Sequence, residues 1–366
     1  MGKRILILSN HFITLYNFRK ELIEKLIDDG NVVFISIPKS DNNAYFSNMG
    51  CKIIETAVDR RGLNPIRDFF LILTYVKIMK KIKPDIIFSY TIKPNIYGCI
   101  ASNLTNNKQV SNITGTGATF LKNSIVSRIA KFLYKVSIRN SYKVFFQNSG
   151  DKVFFVENKM VKNNWNMLPG SGVNLNQFKV SELPLGNEVN FIFIGRVMKT
   201  KGIDEYLACA KSIKEKYPST NFYIAGFIEE AKYKEIIDNY QKKGIINYLG
   251  FQKDISVWIQ KCHCTILPSH GGEGVPNVLL ESAAMGRVCI ASKINGSTDV
   301  IEDGVTGYLF ERNNETSLIE KVDEFLKLDY KSRRFLGLAG RAKVKKEFNR
   351  EIIVNIYMQE IRKLDD

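Results

Sequence analysis

The chain has 366 residues, 45% of them hydrophobic and 25% charged, with a formal net charge of +16. This balance excludes a disordered chain, and the length is too great for one ordinary core but suits two domains of about 180 residues. The longest apolar run, Phe69 to Met79, is interrupted by Lys77 and falls short of the roughly 18 residues that span a bilayer.

The N-terminal stretch MGKRILILSNHF carries about four apolar residues after its basic start, which reads as a strand and not a secretion signal. A cytoplasmic protein is expected. Ile5–Leu8 is the first strand, and the apolar spacing of Tyr16–Asp29 predicts a helix ending at Gly30. Val32–Ile37 is the next strand. Pro65–Lys83 reads as a helix, Ile86–Ser89 as a strand, Ile96–Leu104 and Ile125–Ser141 as helices, and Val144–Gln147 as a strand. The second half repeats the alternation, with strands at Phe191–Ile194, Phe222–Ala225, Ile246–Leu249, Thr265–Leu267 and Val288–Ser292. Its helices are Ile203–Lys216, Asn277–Met285 and a C-terminal Arg350–Leu364. Strands alternating with helices predict an α/β protein with parallel sheets covered on both faces. Residues 171–187, rich in Gly, Ser, Asn and Pro, read as the linker. The expected domains are 1–180, 188–348 and a terminal helix over 349–366 packing back toward the first. Two doubly wound domains place ligands at strand C-terminal ends, so a site in a cleft between them is expected.

Charge is unevenly spread. Residues 1–184 hold 26 Lys/Arg against 12 Asp/Glu, and residues 185–366 hold 27 against 25. The first half therefore faces a polyanion or an anionic surface. The stretch 122–143 interleaves Lys122, Arg128, Lys131, Lys135, Arg139 and Lys143 with Ile125, Ile129, Phe132, Leu133 and Val136, as suits an anionic membrane surface. A core helix with a solvated basic face is the plainer reading. Helix 67–83 adds Lys77, Lys80, Lys81 and Lys83. Of the six cysteines, Cys262 and Cys264 flank His263, but the spacing is too short for a usual zinc clip and strand packing is expected instead.

The most informative stretch is Ser269–Ser282, SHGGEGVPNVLLES. A Gly-rich turn feeding a helix near Asn277 presents free N–H groups and the positive end of a helix dipole to an anion. Glu273 on the loop is placed to accept hydrogen bonds from sugar hydroxyls. Glu281, about one turn into the helix, is placed to chelate the two hydroxyls of a ribose. After the strand 191–194 comes Gly195-Arg196-Val197-Met198-Lys199-Thr200-Lys201-Gly202, which fixes two cations, Arg196 and Lys201, where a diphosphate would sit. Solvated glutamates at a helix start and a basic loop are the alternatives for each motif taken alone.

Together, G-R-x-x-x-x-K-G and E-G-x-P-x-x-x-x-E resemble glycosyltransferase family 4, retaining enzymes of the GT-B fold, in which two Rossmann-like domains face a central cleft. The resemblance implies that Arg196 and Lys201 bind the donor diphosphate, Glu273 the donor sugar and Glu281 the ribose, with Gly274, Val275, Pro276, Asn277 and Val278 around them. Gly226 and Phe251 occupy places where the family contacts ribose and base. Tyr16-Asn17-Phe18-Arg19, Thr91–Asn95 and Thr114-Gly115-Thr116-Gly117 resemble the branch that extends undecaprenyl-diphosphate-linked sugars for capsule, O-antigen or N-glycan precursors. That branch often adds an N-acetylhexosamine such as GalNAc from a UDP donor. Arg19, Lys93, Thr114 and Gly115 are the implied acceptor contacts, at the inner face of a bacterial plasma membrane. The chain lacks the family's N-domain histidine near the sugar; His11 is either its stand-in or a packed loop histidine. No D-x-D pair is present, so no metal or other cofactor is expected, the cations and helix dipole neutralising the leaving diphosphate. A sugar-nucleotide epimerase or phosphorylase on the same scaffold and a basic nucleic-acid binder are the competing readings. The last leaves the glutamates unexplained, and no nucleic-acid partner is expected.

Overall fold

A computed structural model of the chain describes residues 2–59, 64–115, 125–272 and 274–365. The chain forms two compact units, Met1–Ser171 with Arg350–Asp366, and Gly172–Asn349.

In the first unit, seven parallel strands stand in the order β3-β2-β1-β4-β5-β6-β7. They are β1 Arg4–Leu8, β2 Val32–Ile37, β3 Lys52–Glu55, β4 Ile86–Tyr90, β5 Gln109–Ile113, β6 Lys143–Phe146 and β7 Trp165–Met167. Alternating side chains feed two cores. Ile5, Ile7, Ile86 and Phe88 pack on one face with Leu22 and Leu26, while Leu6, Leu8 and Ile87 pack on the other with Leu71, Tyr75 and Tyr134. Helix Pro65–Ile82 starts where the sequence demands it: Pro65 fixes the first turn, and Ile66 and Arg67 N–H donate to Asn64 Oδ1 at 3.0 and 3.3 Å. The predicted helix 16–29 is instead two, Phe12–Phe18 and Lys20–Asp28, separated at Arg19 by its non-helical backbone. The terminal helix Arg350–Arg362 buries Ile353, Tyr357, Met358 and Ile361 in this unit.

The strand β5 (QVSNI) escaped the sequence reading because three of its five buried side chains are polar. Most of their polar atoms are bonded internally: Gln109 Nε2 donates to Ser89 Oγ at 2.9 Å, Asn112 Nδ2 to Ser89 O at 3.0 Å, and Ser111 Oγ pairs with Ser141 Oγ at 3.1 Å. Hydrophobic alternation cannot find such a strand.

The second unit has six parallel strands in the order β10-β9-β8-β11-β12-β13. They are β8 Val189–Ile194, β9 Thr220–Ala225, β10 Asn247–Gly250, β11 Cys264–Leu267, β12 Val288–Ser292 and β13 Tyr308–Phe310. The chain boundary differs from the expected 180. Val173 and Phe178, within the segment read as linker, are buried in the second unit's core with Leu279 and Leu280.

All three residues of the Cys-His-Cys motif are buried and occupied. Cys262 and Cys264 pack in apolar clusters. His263 Nδ1 accepts from Asn190 N–H at 3.1 Å and its Nε2 lies 3.2 Å from Pro184 O. An amide only donates and a carbonyl only accepts, so the proton sits on Nε2. Burial holds this imidazole down at about 4. The motif is a staple at the start of β11.

Candidate functional site

In each sheet the first strand is followed by strands on one side and then on the other, which leaves a switch point beside it. Loops leaving adjacent strands there diverge and open a crevice at the C-terminal edge. In the second unit the switch lies between β8 and β11, and the two motifs read from sequence meet there.

The loop after β8 continues as an extra rung beside the chain after β9. Gly195 N–H donates to Ala225 O at 2.9 Å and Val197 N–H to Phe227 O at 2.8 Å. Gly226, at φ +145, lies so close to Gly195 that a Cβ would sit 1.9 Å from Gly195 O. Arg196 projects from this rung, half-exposed, with Nη1 3.8 Å from Glu229 Oε1. At that separation and with Arg196 exposed, the pair is worth little. Lys201 closes a 3₁₀ turn over Lys199–Lys201 and is half-buried. Gly202 follows at φ +74, and a Cβ there would lie 1.9 Å from Pro268 O. The lysine loop is therefore pressed onto the end of β11 by a residue that only glycine can fill.

The loop after β11 is tied to it by several bonds. His270 N–H donates to Thr200 O at 2.9 Å, and His270 Nε2 lies 2.9 Å from Glu205 Oε1. Burial pushes the Glu205 carboxyl up, but hydrogen bonds from His270 and the backbone, with Lys199 nearby, outweigh it and leave it below the ordinary carboxylate range. Ser292 Oγ donates to Ser269 O from the end of β12. Glu273 lies outside the described residues. Gly274, Val275 and Pro276 are buried, and Pro276 caps helix Asn277–Ala284, which starts with Asn277 and Val278 half-buried. Gly296 is locked against this turn, its Cβ position 1.8 Å from Gly274 O. Glu281 is half-buried on the same helix and has contacts of its own. At the ends of β9 and β10, Phe251 stacks face to face on Phe227, centroids 4.5 Å apart and planes 8° from parallel. Both rings are more than half exposed. Phe227 was not singled out from sequence, although the repeated Gly-Phe after two successive strands is the signal for it. His270 and Glu205 left no such signal, since their pairing across the two loops exists only in the fold.

In the first unit the switch lies between β1 and β4, and a cavity of about 270 Å³ opens there. Asn10 comes from the loop after β1 and Thr14 from helix Phe12–Phe18 that follows it, Thr91 from the end of β4 and Lys93 from the first turn of helix Ile92–Leu104, and Thr114 and Gly115 from the chain after β5. Three of the sequence candidates, Lys93, Thr114 and Gly115, are thus brought together. Lys93 Nζ is held by Asp68 Oδ1 at 2.5 Å, and Tyr97 O–H donates to Asp68 Oδ2 at 2.7 Å. Thr91 lies at φ 75, ψ 164, a region nearly reserved for glycine, at the start of helix Ile92–Leu104. Its Oγ1 and Asn10 Oδ1 are buried with no hydrogen-bond partner among the described residues.

One expectation is corrected here. Arg19 is 2% exposed, with Nη1 donating to Phe18 O at 2.6 Å and the guanidinium over the Tyr90 ring at 4.7 Å. It is a core staple and not a surface cation. Of the two readings of His11, the packed one is met by its Nδ1, which caps helix 12–18 by accepting from Ile13 N–H at 3.1 Å. Thr116, Gly117 and Lys122 lie outside the described residues.

Two family descriptions match consecutive parts of the chain: "Glycosyl transferase 4-like" over residues 4–148 and "Glycosyl transferases group 1" over residues 176–343. The chain belongs to glycosyltransferase family 4. The transferase is 26% identical, over 97% of each chain, to the N,N'-diacetylbacillosaminyl-diphospho-undecaprenol alpha-1,3-N-acetylgalactosaminyltransferase of Campylobacter jejuni. It is 27% identical to the UDP-Gal:alpha-D-GlcNAc-diphosphoundecaprenol alpha-1,3-galactosyltransferase of Escherichia coli, over 72% of this chain and 71% of that one. Among solved structures, Anabaena HepE in complex with UDP and glucose superposes with a TM-score of 0.81 at 15% identity, over 99% of this chain and 100% of that one. The fold is GT-B and the protein is a hexosyltransferase. The epimerase reading gains nothing from these relatives.

Proposed function

We propose that this transferase moves an N-acetylhexosamine, GalNAc or a close relative, from a UDP-sugar to a saccharide linked to polyprenyl diphosphate, keeping the anomeric configuration. The observation that supports the reading is the second unit's switch point, where the loop bearing Arg196 and Lys201 packs against the loop that leads into the helix at Asn277. Likeness to the Campylobacter jejuni enzyme over nearly all of both chains supports the choice of substrates. Arg196 and Lys201 hold the donor diphosphate, assisted by the N–H groups of the helix at Asn277. Glu281 grips the ribose, the exposed face of Phe251 takes the uracil, and Glu273 orients the sugar. The cavity bearing Thr91, Lys93, Thr114 and Gly115 takes the acceptor.

In the reaction the acceptor hydroxyl attacks the anomeric carbon on the face the diphosphate leaves. The bond from that carbon to the phosphate oxygen breaks as the glycosidic bond forms, and a departing phosphate oxygen takes the hydroxyl proton. Negative charge grows on the diphosphate, and Arg196, Lys201 and the helix dipole stabilise it without a metal ion. The acceptor's lipid keeps the protein peripheral on the inner face of the plasma membrane, where Arg128, Lys131, Lys135 and Arg139, with Lys122, favour anionic headgroups. Among the described residues no helix is long and apolar enough to cross a membrane.

A panel of UDP-sugars mixed with one lipid-diphosphate-linked acceptor tests this. Acceptor-dependent UDP release is expected with one N-acetylated donor, unchanged by EDTA, and UDP release that ignores the acceptor would overturn the reading. Lys201→Ala should lower kcat about 10²-fold or more with the fold intact by circular dichroism. Turnover at the wild-type rate would remove Lys201 from the mechanism.

A further inference from the structure

Helix 65–82 spends one face on the core of the first unit, through Leu71, Tyr75, Met79 and Ile82. The opposite face of such a helix is ordinarily polar. Here its first two turns present Ile66, Phe69, Phe70 and Leu73, exposed at 66%, 57%, 61% and 39%. With 3.6 residues per turn these four side chains centre on the side facing away from Leu71 and Tyr75, and the same line continues into Lys77, Lys80 and Lys81, all exposed. Helix Ile125–Ser137 repeats the arrangement. Ala130 and Tyr134 face inward, while Ile129, Phe132 and Val136 are exposed at 54%, 63% and 48%, with Arg128 and Lys135 exposed beside them. Both helices lie against helix 92–104 and contribute to the same core, so their outer faces look out from one side of the seven-stranded sheet.

We infer that these two outer faces dock into an anionic bilayer, the apolar side chains entering the acyl boundary and the lysines and arginines staying among the headgroups. Charge selects this occupant. A second copy on the same face would set Lys77, Lys80, Lys81, Arg128 and Lys135 against their own kind, whereas anionic lipid complements all of them. Neighbouring phenyl groups at a helix start, with a basic tail behind them, combine an apolar anchor with electrostatic attraction. The biological setting rests on the lipid-linked acceptor proposed above; the docking itself rests on the exposed side chains.

The test uses the full chain with Phe69→Trp or Phe132→Trp and vesicles of phosphatidylglycerol and phosphatidylethanolamine carrying brominated acyl chains. Quenching of the new indole beyond the background of Trp165 and Trp258 is expected, and it persists in about 1 M salt, where attraction between exposed charges is screened. Combining Phe69→Ser, Phe70→Ser and Phe132→Ser should lower vesicle partitioning at least tenfold with unchanged thermal unfolding. Combining Lys77→Gln, Lys80→Gln and Lys81→Gln should remove only the salt-sensitive part. Bound protein with unquenched indoles would overturn insertion, as would wild-type partitioning of the triple serine variant. A dimer in sedimentation that this variant abolishes would assign the face to a second copy instead. Transfer to a short-chain, water-soluble lipid-diphosphate acceptor is measured in parallel. Its absence in a wild-type protein whose indoles are quenched would sink the proposed reaction and leave docking standing.

Discussion

Thr91 shows how much a single backbone angle can reveal. A β-branched residue in a region nearly reserved for glycine costs about 1–3 kcal/mol, and it persists only where the surroundings over-determine it. Here it turns the chain from β4 into helix 92–104 and places at the cavity of the first unit a hydroxyl with no partner among the described residues. Thr91→Gly should relieve more strain than the roughly 0.5–1 kcal/mol of chain entropy that glycine adds to the unfolded state. The expected outcome is an equal or higher Tm together with a raised KM for the acceptor. A lowered Tm with unchanged KM would show that Thr91 serves only the fold. His263 makes the opposite case, a residue from a metal-like motif that is buried and hydrogen-bonded within the fold. Its folded value of about 4 lies below the ordinary 6.5, so above pH 6.5 both folded and unfolded chains carry it neutral. Between 6.5 and 4 the unfolded chain binds the proton first, and stability falls with falling pH by roughly 3 kcal/mol. His263→Asn keeps an acceptor for the Asn190 N–H and removes the proton, so urea titrations across this window should lose that slope.

At the scale of elements, glycine positions separate packing from mere turn-making. Gly202 and Gly244 both have positive φ, +74 and +66, yet a Cβ at Gly202 would strike Pro268 O at 1.9 Å while nothing lies within 4 Å of one at Gly244. Gly244→Ala should cost about 1 kcal/mol, the backbone penalty alone. Gly202→Ala must also push the lysine loop off the end of β11, so a larger loss of stability and at least a tenfold fall in kcat/KM are expected. Equal effects in chemical denaturation and turnover would show that the two loops are not packed as described. Loop contacts of this kind explain why strands were easier to read than sites. β8 and β12 follow from their apolar runs, and Pro65 behind Asn64 marks a helix start. The polar strand β5, the break at Arg19 and the pairing of His270 with Glu205 depend on partners distant in sequence, which periodicity does not encode.

For the molecule as a whole, the chain leaves its first unit at Ser171 and returns to it at Arg350. Tyr357 packs edge-on to Phe88 and Phe145 and donates from its hydroxyl to Asn112 Oδ1. Arg350 pairs with Glu21 at 2.7 Å. Deleting residues 350–366 should therefore strip hydrogen-exchange protection from β1 and β4 while leaving β8 and β11 protected. Loss in both sheets alike would refute two separately stabilised cores. By itself the sequence determined the alternation of strands and helices, the family, and the positions of Arg196, Lys201 and Glu281, because local periodicity and short motifs are properties of neighbouring residues. Only the tertiary structure decided which cations reach a site and which are buried. Arg19 and Lys93 are equally basic in the sequence, but one lies between the rings of Tyr90 and Tyr357 and the other lines a cavity. The reason is physical: a side chain's role depends on what crosses beside it, and parallel strands bring together loops that the chain separates by tens of residues.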